Sequence, residues 1–519
     1  MDERGEDGIM AGMCYPEGIH GRVEGEYPDY LRDESRRAGT AESISFPRSQ
    51  DELQAHLLYA RDAGKPVTVQ GARTGITGAA VPDGGHIVNL AKLTAVSAPR
   101  EREPGVAGVT AEPGVTLDAL RQSLATAAGG TWFFPPDPTE TSASVGGMIA
   151  TNASGARTLR YGATRNYVTG LRILLADGDR LSLRRGEHYA DGRRFRLDTD
   201  GGRTIEGALP SYTVPDVKSA AGYYVADDMD LLDLFIGAEG TLGVVAEADL
   251  RLAPAPPAVW GLQVFLPGER AALAFVRRVR EAGWSAVAAI EFFDARALDL
   301  LREQKRINPA FGAVPDMPPA WHTAIYVELH GDEEAVEETM MNVSEAMVAC
   351  GGDEDATWLA ADSRELERLK TFRHALPEAV NLLIDERRRT EPALTKLGTD
   401  LAVPDGALET MFAMYHAALD EHGLEYVIFG HVGNNHVHVN ILPRSKEDYE
   451  HGKSIYLDWA QQVVALGGTV SAEHGIGKLK TAMLEAMYGA AGIDEMQALK
   501  ALFDPEGRLN PGTLFSPFP

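Results

Sequence analysis

The chain is poor in cysteine, with only Cys14 and Cys350 in 519 residues. Two thiols cannot build a disulfide framework or ligate an iron–sulfur cluster. Their scarcity fits a reducing compartment, and any electrons drawn from a substrate must leave to a separate acceptor. Positive charge is also short. Lys and Arg number 49 against 76 Asp and Glu, for a formal net charge of −27. That balance argues against nucleic acid or an anionic membrane as the main partner. No run approaches the roughly 20 apolar residues of a spanning helix. The opening MDERGEDGIM lacks both the basic and the apolar region of a secretory signal. The expectation is a soluble cytoplasmic protein, with docking on a membrane complex left open. Neither a fixed-period repeat nor a low-complexity tract is present.

What remains is a globular composition, 44% hydrophobic and 24% charged, in a chain long enough for two to four domains. Residues up to about Gly39 read as a polar, irregular extension over the surface. Ser49 and Glu52 form a capping-box pattern ahead of Leu53, Leu57 and Leu58, which predicts a helix ending near Gly64. Pro66 to Val69 reads as a strand. Leu171–Ala176 and Leu181–Leu183, joined through Asp177-Gly178, read as a hairpin. The arginines 184, 185, 193, 194 and 196 read as a solvated loop. Pro254, Pro256 and Pro257 mark a domain boundary. Beyond them helical runs near 270–282, 333–350, 366–383 and 408–422 alternate with strand-like runs near 290, 325–329, 427–429 and 437–442. That alternation predicts an antiparallel sheet covered by helices on one face.

Two segments are dense in Gly, Ser, Thr and Ala: PVTVQGARTGITGAAVP (66–82) and the stretch from Phe134 to Gly170. Such loops let backbone N–H groups approach anionic oxygens closely. Neither carries GxGxxG between a strand and a helix, nor a P-loop lysine. Taken singly, each is also an ordinary set of tight turns. A second kind of chemistry gathers in GHVGNNHVHVN (430–440) and SAEHGIGK (471–478). Strand alternation would put His436, His438 and Asn440 on one face. A Gly-Asn-Asn turn would fold His431 back beside His438, and Glu473 adds a carboxylate. Two histidines and a carboxylate make an open site for a divalent cation. A lone histidine there would be structural; the cluster favours a metal.

The loops and the GAEGTLGVV segment (237–245) resemble the FAD-binding domain of the vanillyl-alcohol oxidase / p-cresol methylhydroxylase superfamily. From about residue 40 the chain is similar to its D-lactate dehydrogenase, glycolate oxidase and D-2-hydroxyglutarate dehydrogenase branch. The resemblance implies an α+β fold: a two-part FAD-binding domain and a ferredoxin-like α+β cap with an antiparallel sheet. The divisions are an N-terminal extension (1–39), the FAD domain (40–254), a substrate- and metal-binding cap (255–492) and a C-terminal segment returning to the flavin domain (493–519). The implied FAD contacts are Gly71, Ala72, Arg73, Thr74, Gly75 and Gly78 in the first loop. In the second they are Pro135, Pro136, Asp137, Thr139, Ser142, Gly146, Gly147, Thr151, Asn152, Ser154 and Gly155. Gly243, Val245 and Asn510 complete the set. No Cys or His lies in Gln70–Gly78, so noncovalent FAD is expected. The resemblance also implies metal ligands at His431, His438 and Glu473, with zinc the first choice, and the proton-abstracting base at His474. Arg373, Lys396 and Asn440 match substrate positions. A family threonine is Pro377 here, and the family turn Asp-Gly-Asn is Asn434-Asn435-His436, which makes His436 a candidate substitute metal ligand or substrate contact.

The expected activity is oxidation of a D-2-hydroxy acid to the 2-oxo acid, D-lactate first. Glycolate or D-2-hydroxyglutarate oxidation and a flavin-dependent transferase of the alkylglycerone-phosphate synthase type are the alternatives. The expected partners are the hydroxy acid and an external electron acceptor. That acceptor is an iron–sulfur protein, an electron-transfer flavoprotein, a cytochrome or a quinone. Nucleic acid is not expected, and a homodimer is left open.

Overall fold

The computed structural model describes residues 16–517 except 104 and 128. Cys14 and the MDERGEDGIM opening lie outside the described residues. Strands Ile19–His20, Ser43–Ser45, His86–Asn89 and Val67–Gln70 lie side by side in that order. The last three pair in parallel. The helix Gln50–Asp62 connects two of them, and its Ser49 cap accepts the N–H of Glu52 as the sequence indicates. The N-terminal extension is more ordered than expected. Ile19–His20 pairs with Ser43–Ser45, and Val23 and Leu31 share a small core with Ile44 and Ile87.

The next sheet is antiparallel and is centred on Val244–Pro254, flanked by Val106–Ala111 and Val168–Leu174. Val168–Leu174 turns back into Arg180–Arg184 as a hairpin. The arginine-rich stretch is not the solvated loop expected. Arg194–Asp198 and Thr204–Ala208 form a second hairpin. Phe195, Leu197 and Ile205 point inward while the arginines between them stay exposed. The period-two alternation of Phe195 and Leu197 is the signal that the charge run concealed.

Chain direction changes at the proline cluster, and Ala258–Leu266 starts a seven-stranded sheet. Its strands Ala258–Leu266, Val287–Phe293, Thr323–Gly331 and Trp358–Ala360 lie in the order fourth, first, third, second. Helices Glu269–Ala282 and Glu333–Ala349 follow the first and third, which is the ferredoxin-like pattern. Tyr426–Gly430, His438–Ile441 and Leu397–Gly398 extend the sheet beyond Val287–Phe293. Helices cover both faces rather than one. Leu262, Ile325 and Val327 pack with Glu269–Ala282 and Glu333–Ala349. Phe265, Ala324 and Tyr326 pack with Ala295–Ile307 and Ser363–Arg388. No helix of the described residues is long and apolar enough to cross a membrane.

Asp294 caps Ala295–Ile307 by accepting the Ala297 N–H at 2.7 Å. Burial pushes its carboxyl up to about 7, above the roughly 3.9 of a free aspartate. The folded chain therefore holds that proton more tightly than the unfolded chain. Between the two values stability falls as pH rises. Asp294→Asn keeps a cap acceptor and removes the ionisation. Melting curves should show it more stable than the parent at pH 8, by up to roughly 4 kcal/mol for about three units at about 1.4 each, with no gain at acid pH.

Candidate functional site

One cavity runs between the glycine-rich loops and the histidine cluster. Gly71, Ala72, Arg73, Thr74 and Gly75 line it with Thr139, Gly146, Gly147, Thr151, Ser154 and Gly155. Gly243, Val245 and Asn510 line it as well, and His431, Glu473 and His474 stand at the other end. Gly78, Pro135, Pro136, Asp137, Ser142 and Asn152 are not on its wall. Asp137 instead faces Arg121 and Arg157. Ser142 donates to Glu140, and the Asn152 side chain accepts the N–H of Arg165.

The wall that is present fits a dinucleotide. The backbone N–H groups of Arg73, Thr74, Gly75 and Ile76 have no hydrogen-bond partner among the described residues. Consecutive free N–H groups in a turn form a concavity suited to anionic oxygens. The two loops pack closely, and a Cβ on Gly71 would lie 2.2 Å from Ser144 Oγ. Ser144 accepts the Gly147 N–H at 3.3 Å and the Ala72 N–H at 3.4 Å, so it joins the loops. Sequence reading settled on Ser142 and passed over Ser144. Ser144-x-x-Gly147 at the start of a helical turn was the available signal.

Gly155 is the tightest point. A Cβ there would fall 1.9 Å from the Asp137 carbonyl oxygen, a backbone atom that cannot rotate away. Gly155→Ala should cost about 1–3 kcal/mol or more through overpacking. The check is loss of the flavin spectrum together with a lower melting temperature.

Asn510 and Glu239 tie the halves together. Asn510 Oδ1 accepts the Val69 N–H at 2.7 Å, and its Nδ2 donates to the Glu239 carbonyl at 2.8 Å. The Glu239 carboxylate accepts the N–H groups of Ile476 and Gly477 at 2.7 and 2.9 Å. It therefore fixes the EHGIG loop to the flavin half. Burial pushes its carboxyl up to about 7, against those two donors.

In the cap, the turn reverses through Asn435 at φ +51°, a conformation asparagine tolerates better than most residues. His431 and His438 consequently meet, with ring centroids 5.6 Å apart. His431 Nε2 and His438 Nε2 each lie 3.3 Å from Glu473 Oε1. The far nitrogens are both engaged. His431 Nδ1 meets Glu291 Oε1 at 2.7 Å, and His438 Nδ1 meets the Thr399 carbonyl at 2.8 Å. Such partners fix the tautomer and aim the Nε2 lone pairs at a common point.

Burial works against charge on His431, but Glu291 and Glu473 raise it to about 9. Burial would also neutralise Glu473, yet Lys218 and His431 hold it well below the usual carboxylate range. Two imidazole nitrogens with one carboxylate oxygen suit a divalent cation. Glu291, Thr399 and Lys218 were missed by sequence reading. Each is a single residue in an unremarkable stretch, so only tertiary placement shows its part.

The other expected substrate residues are placed differently. His436 is fully buried and is not on the cavity wall, although one of its ring nitrogens lies within 4.8 Å of the ligand atoms of His431, His438 and Glu473. Its Nδ1 is 3.2 Å from Lys218 Nζ. Its Nε2 is 3.1 Å from Asp400 Oδ1, though too poorly aligned for a hydrogen bond. Burial and Lys218 keep it neutral. Arg373 lies 3.9 Å from Glu291 Oε2 and over the Tyr326 ring, one carboxylate removed from His431. Lys396 and Asn440 are not on the cavity wall, although Gly398 and Asn440 pair across neighbouring strands. Lys396 makes no hydrogen bond or ion pair among the described residues. Burial pushes its ammonium down.

His474 is the accessible member of the cluster, with 28% of its side chain exposed. It stacks on His438 at 5.4 Å, and its Nε2 lies 3.5 Å from Glu473 Oε1. An imidazole beside a candidate cation, at the end of a cavity fit for a dinucleotide, is placed to exchange a proton with a small bound molecule.

Comparison with known proteins agrees with this architecture. Residues 41–184 match the FAD binding domain model, and residues 256–514 match that of FAD linked oxidases, C-terminal domain. Glycolate oxidase subunit GlcD of Bacillus subtilis is 30% identical over 92% of this chain and 89% of its own. The probable mitochondrial D-lactate dehydrogenase of Danio rerio is 30% identical over 98% of this chain and 89% of its own. Among solved structures, an alkyldihydroxyacetonephosphate synthase superposes with TM-score 0.64 at 14% identity, covering 96% of this chain and 82% of that one. The last likeness is one of fold.

Proposed function

The chain belongs to the FAD-linked oxidases, and on that premise we propose that it oxidises a D-2-hydroxy acid, D-lactate first, to the 2-oxo acid. One observation carries the reading: a single cavity joins the dinucleotide-fitting loops to His431, Glu473 and His474. When bound, noncovalent FAD accepts the hydride from the substrate's carbon, and a divalent cation, zinc in the first instance, polarises its hydroxyl and carboxylate. His431, His438 and Glu473 would hold the cation. His474 takes the hydroxyl proton, and its exposed edge returns that proton to solvent. Arg373 supports Glu291 and through it His431. Electrons pass on to an external acceptor, either a redox protein or a quinone.

Dye-coupled turnover with D-lactate, L-lactate, glycolate and D-2-hydroxyglutarate, before and after chelation, tests this. Turnover of at least one D-2-hydroxy acid, lost on chelation and restored by Zn²⁺ or Mn²⁺, is expected. Flavin-loaded protein that turns over none of them would remove the reading and leave the transferase alternative.

A further inference from the structure

Asp400 does not line the cavity described above and was not singled out from the sequence, yet the base-bearing loop is built around it. Its side chain is fully buried. Oδ1 accepts the backbone N–H of Glu473 at 3.2 Å, and Oδ2 accepts that of His474 at 3.0 Å. Ser471 Oγ and Lys480 Nζ each donate to Oδ2 at 2.7 Å. The carboxylate also stands 3.4 Å from the ring Nδ1 of His474. Its own main chain is anchored, with the Asp400 N–H on the Tyr456 hydroxyl at 3.1 Å.

We propose that Asp400 is the positioning residue for His474, holding Nδ1 as the protonated nitrogen so that Nε2 keeps its lone pair for the substrate. The proposal rests on His474 being the base. The geometry supports it on two counts. Asp400 Oδ2 stands 3.4 Å from Nδ1, whereas the Glu473 oxygen 3.5 Å from Nε2 is shared with His431 and His438, so Asp400 is the carboxylate free to select the tautomer, with the proton on its side. The same carboxylate fixes the backbone of the very residue whose ring it faces, so ring and loop are set together. Lys480 balances the charge, and His436 at 3.1 Å closes the other side against water.

The alternative is a purely structural anchor for the loop, and the test separates the two. In Asp400→Asn, an amide turned toward Nδ1 would select the opposite tautomer and place a proton on Nε2. The expected result is a kcat lower on the order of a thousandfold, as when an orienting Asp is replaced in an Asp–His pair. KM, bound flavin and metal content should be near the parent's. In the His474→Ala background the same substitution should have no further effect. An unchanged kcat in Asp400→Asn, or an equal fall in both backgrounds, overturns the proposal.

Should Asp400→Asn not fold, ¹⁵N NMR of histidine-labelled parent protein decides. The His474 signal would be assigned by its loss in His474→Gln. A protonated Nδ1 is expected, and a protonated Nε2 overturns the proposal. Turnover at the parent's rate in His474→Ala would instead show that the base assignment itself has failed.

Discussion

Replacing His474 with glutamine is expected to lower kcat by about 10²–10⁴-fold, the usual contribution of a positioned general base. Bound flavin should be unaffected. His474 is absent from the glycine-rich wall, and Glu239 holds the neighbouring Ile476 and Gly477 through their backbone. The loop should therefore keep its path when the imidazole is removed. Glutamine preserves bulk and hydrogen bonding but cannot take a proton near neutral pH. A fall confined to kcat would identify an interaction made in the transition state, whereas a rise in KM alone would make His474 a binding residue. Steady-state kinetics on flavin-matched preparations distinguish these outcomes.

The second large effect is expected from the cation. His438→Ala removes one of two nitrogens 3.3 Å from Glu473 Oε1. It leaves His431 pinned by Glu291 and Glu473 paired with Lys218 at 2.6 Å. Metal content should drop, and kcat/KM should fall on the order of 10²–10³-fold, corresponding to several kcal/mol of charge stabilisation. Excess Zn²⁺ or Mn²⁺ should recover part of the loss, because one histidine and a carboxylate remain. Elemental analysis alongside activity checks this. Full activity in metal-free protein would remove the cation from the account.

Much of this site was legible in the sequence because its parts are local. Glycine-dense loops, a His-rich turn before a strand, and Glu473-His474 each occupy a few consecutive residues. Their resemblance to one family put FAD and a cation in the same molecule. What escaped depends on distant pairing. Asp400, Glu291 and Lys218 come from three separate segments, and nothing in their neighbours hints that they meet. His436 was assigned by strand alternation with His438, but the strand begins only at His438. The preceding residue pattern belongs to the turn, which sends His436 inward. For the same reason, helices on both faces of the cap sheet were not readable. A strand buried on two sides loses the alternation that would reveal which face is covered. The arginine-rich hairpin erred in the opposite sense, since alternation was present and charge composition was given more weight.

The account's central claim is that this cavity carries hydride from a D-2-hydroxy acid to flavin. Anaerobic mixing of the purified holoprotein with D- and L-lactate, glycolate and D-2-hydroxyglutarate, followed through the oxidised flavin absorbance, tests it most directly. Bleaching is expected with at least one acid, with the D form preferred wherever both enantiomers are offered. It should slow when the substrate's transferred hydrogen is deuterium. An oxidised flavin that stays unbleached by all of these acids, in protein with its metal bound, would contradict the claim.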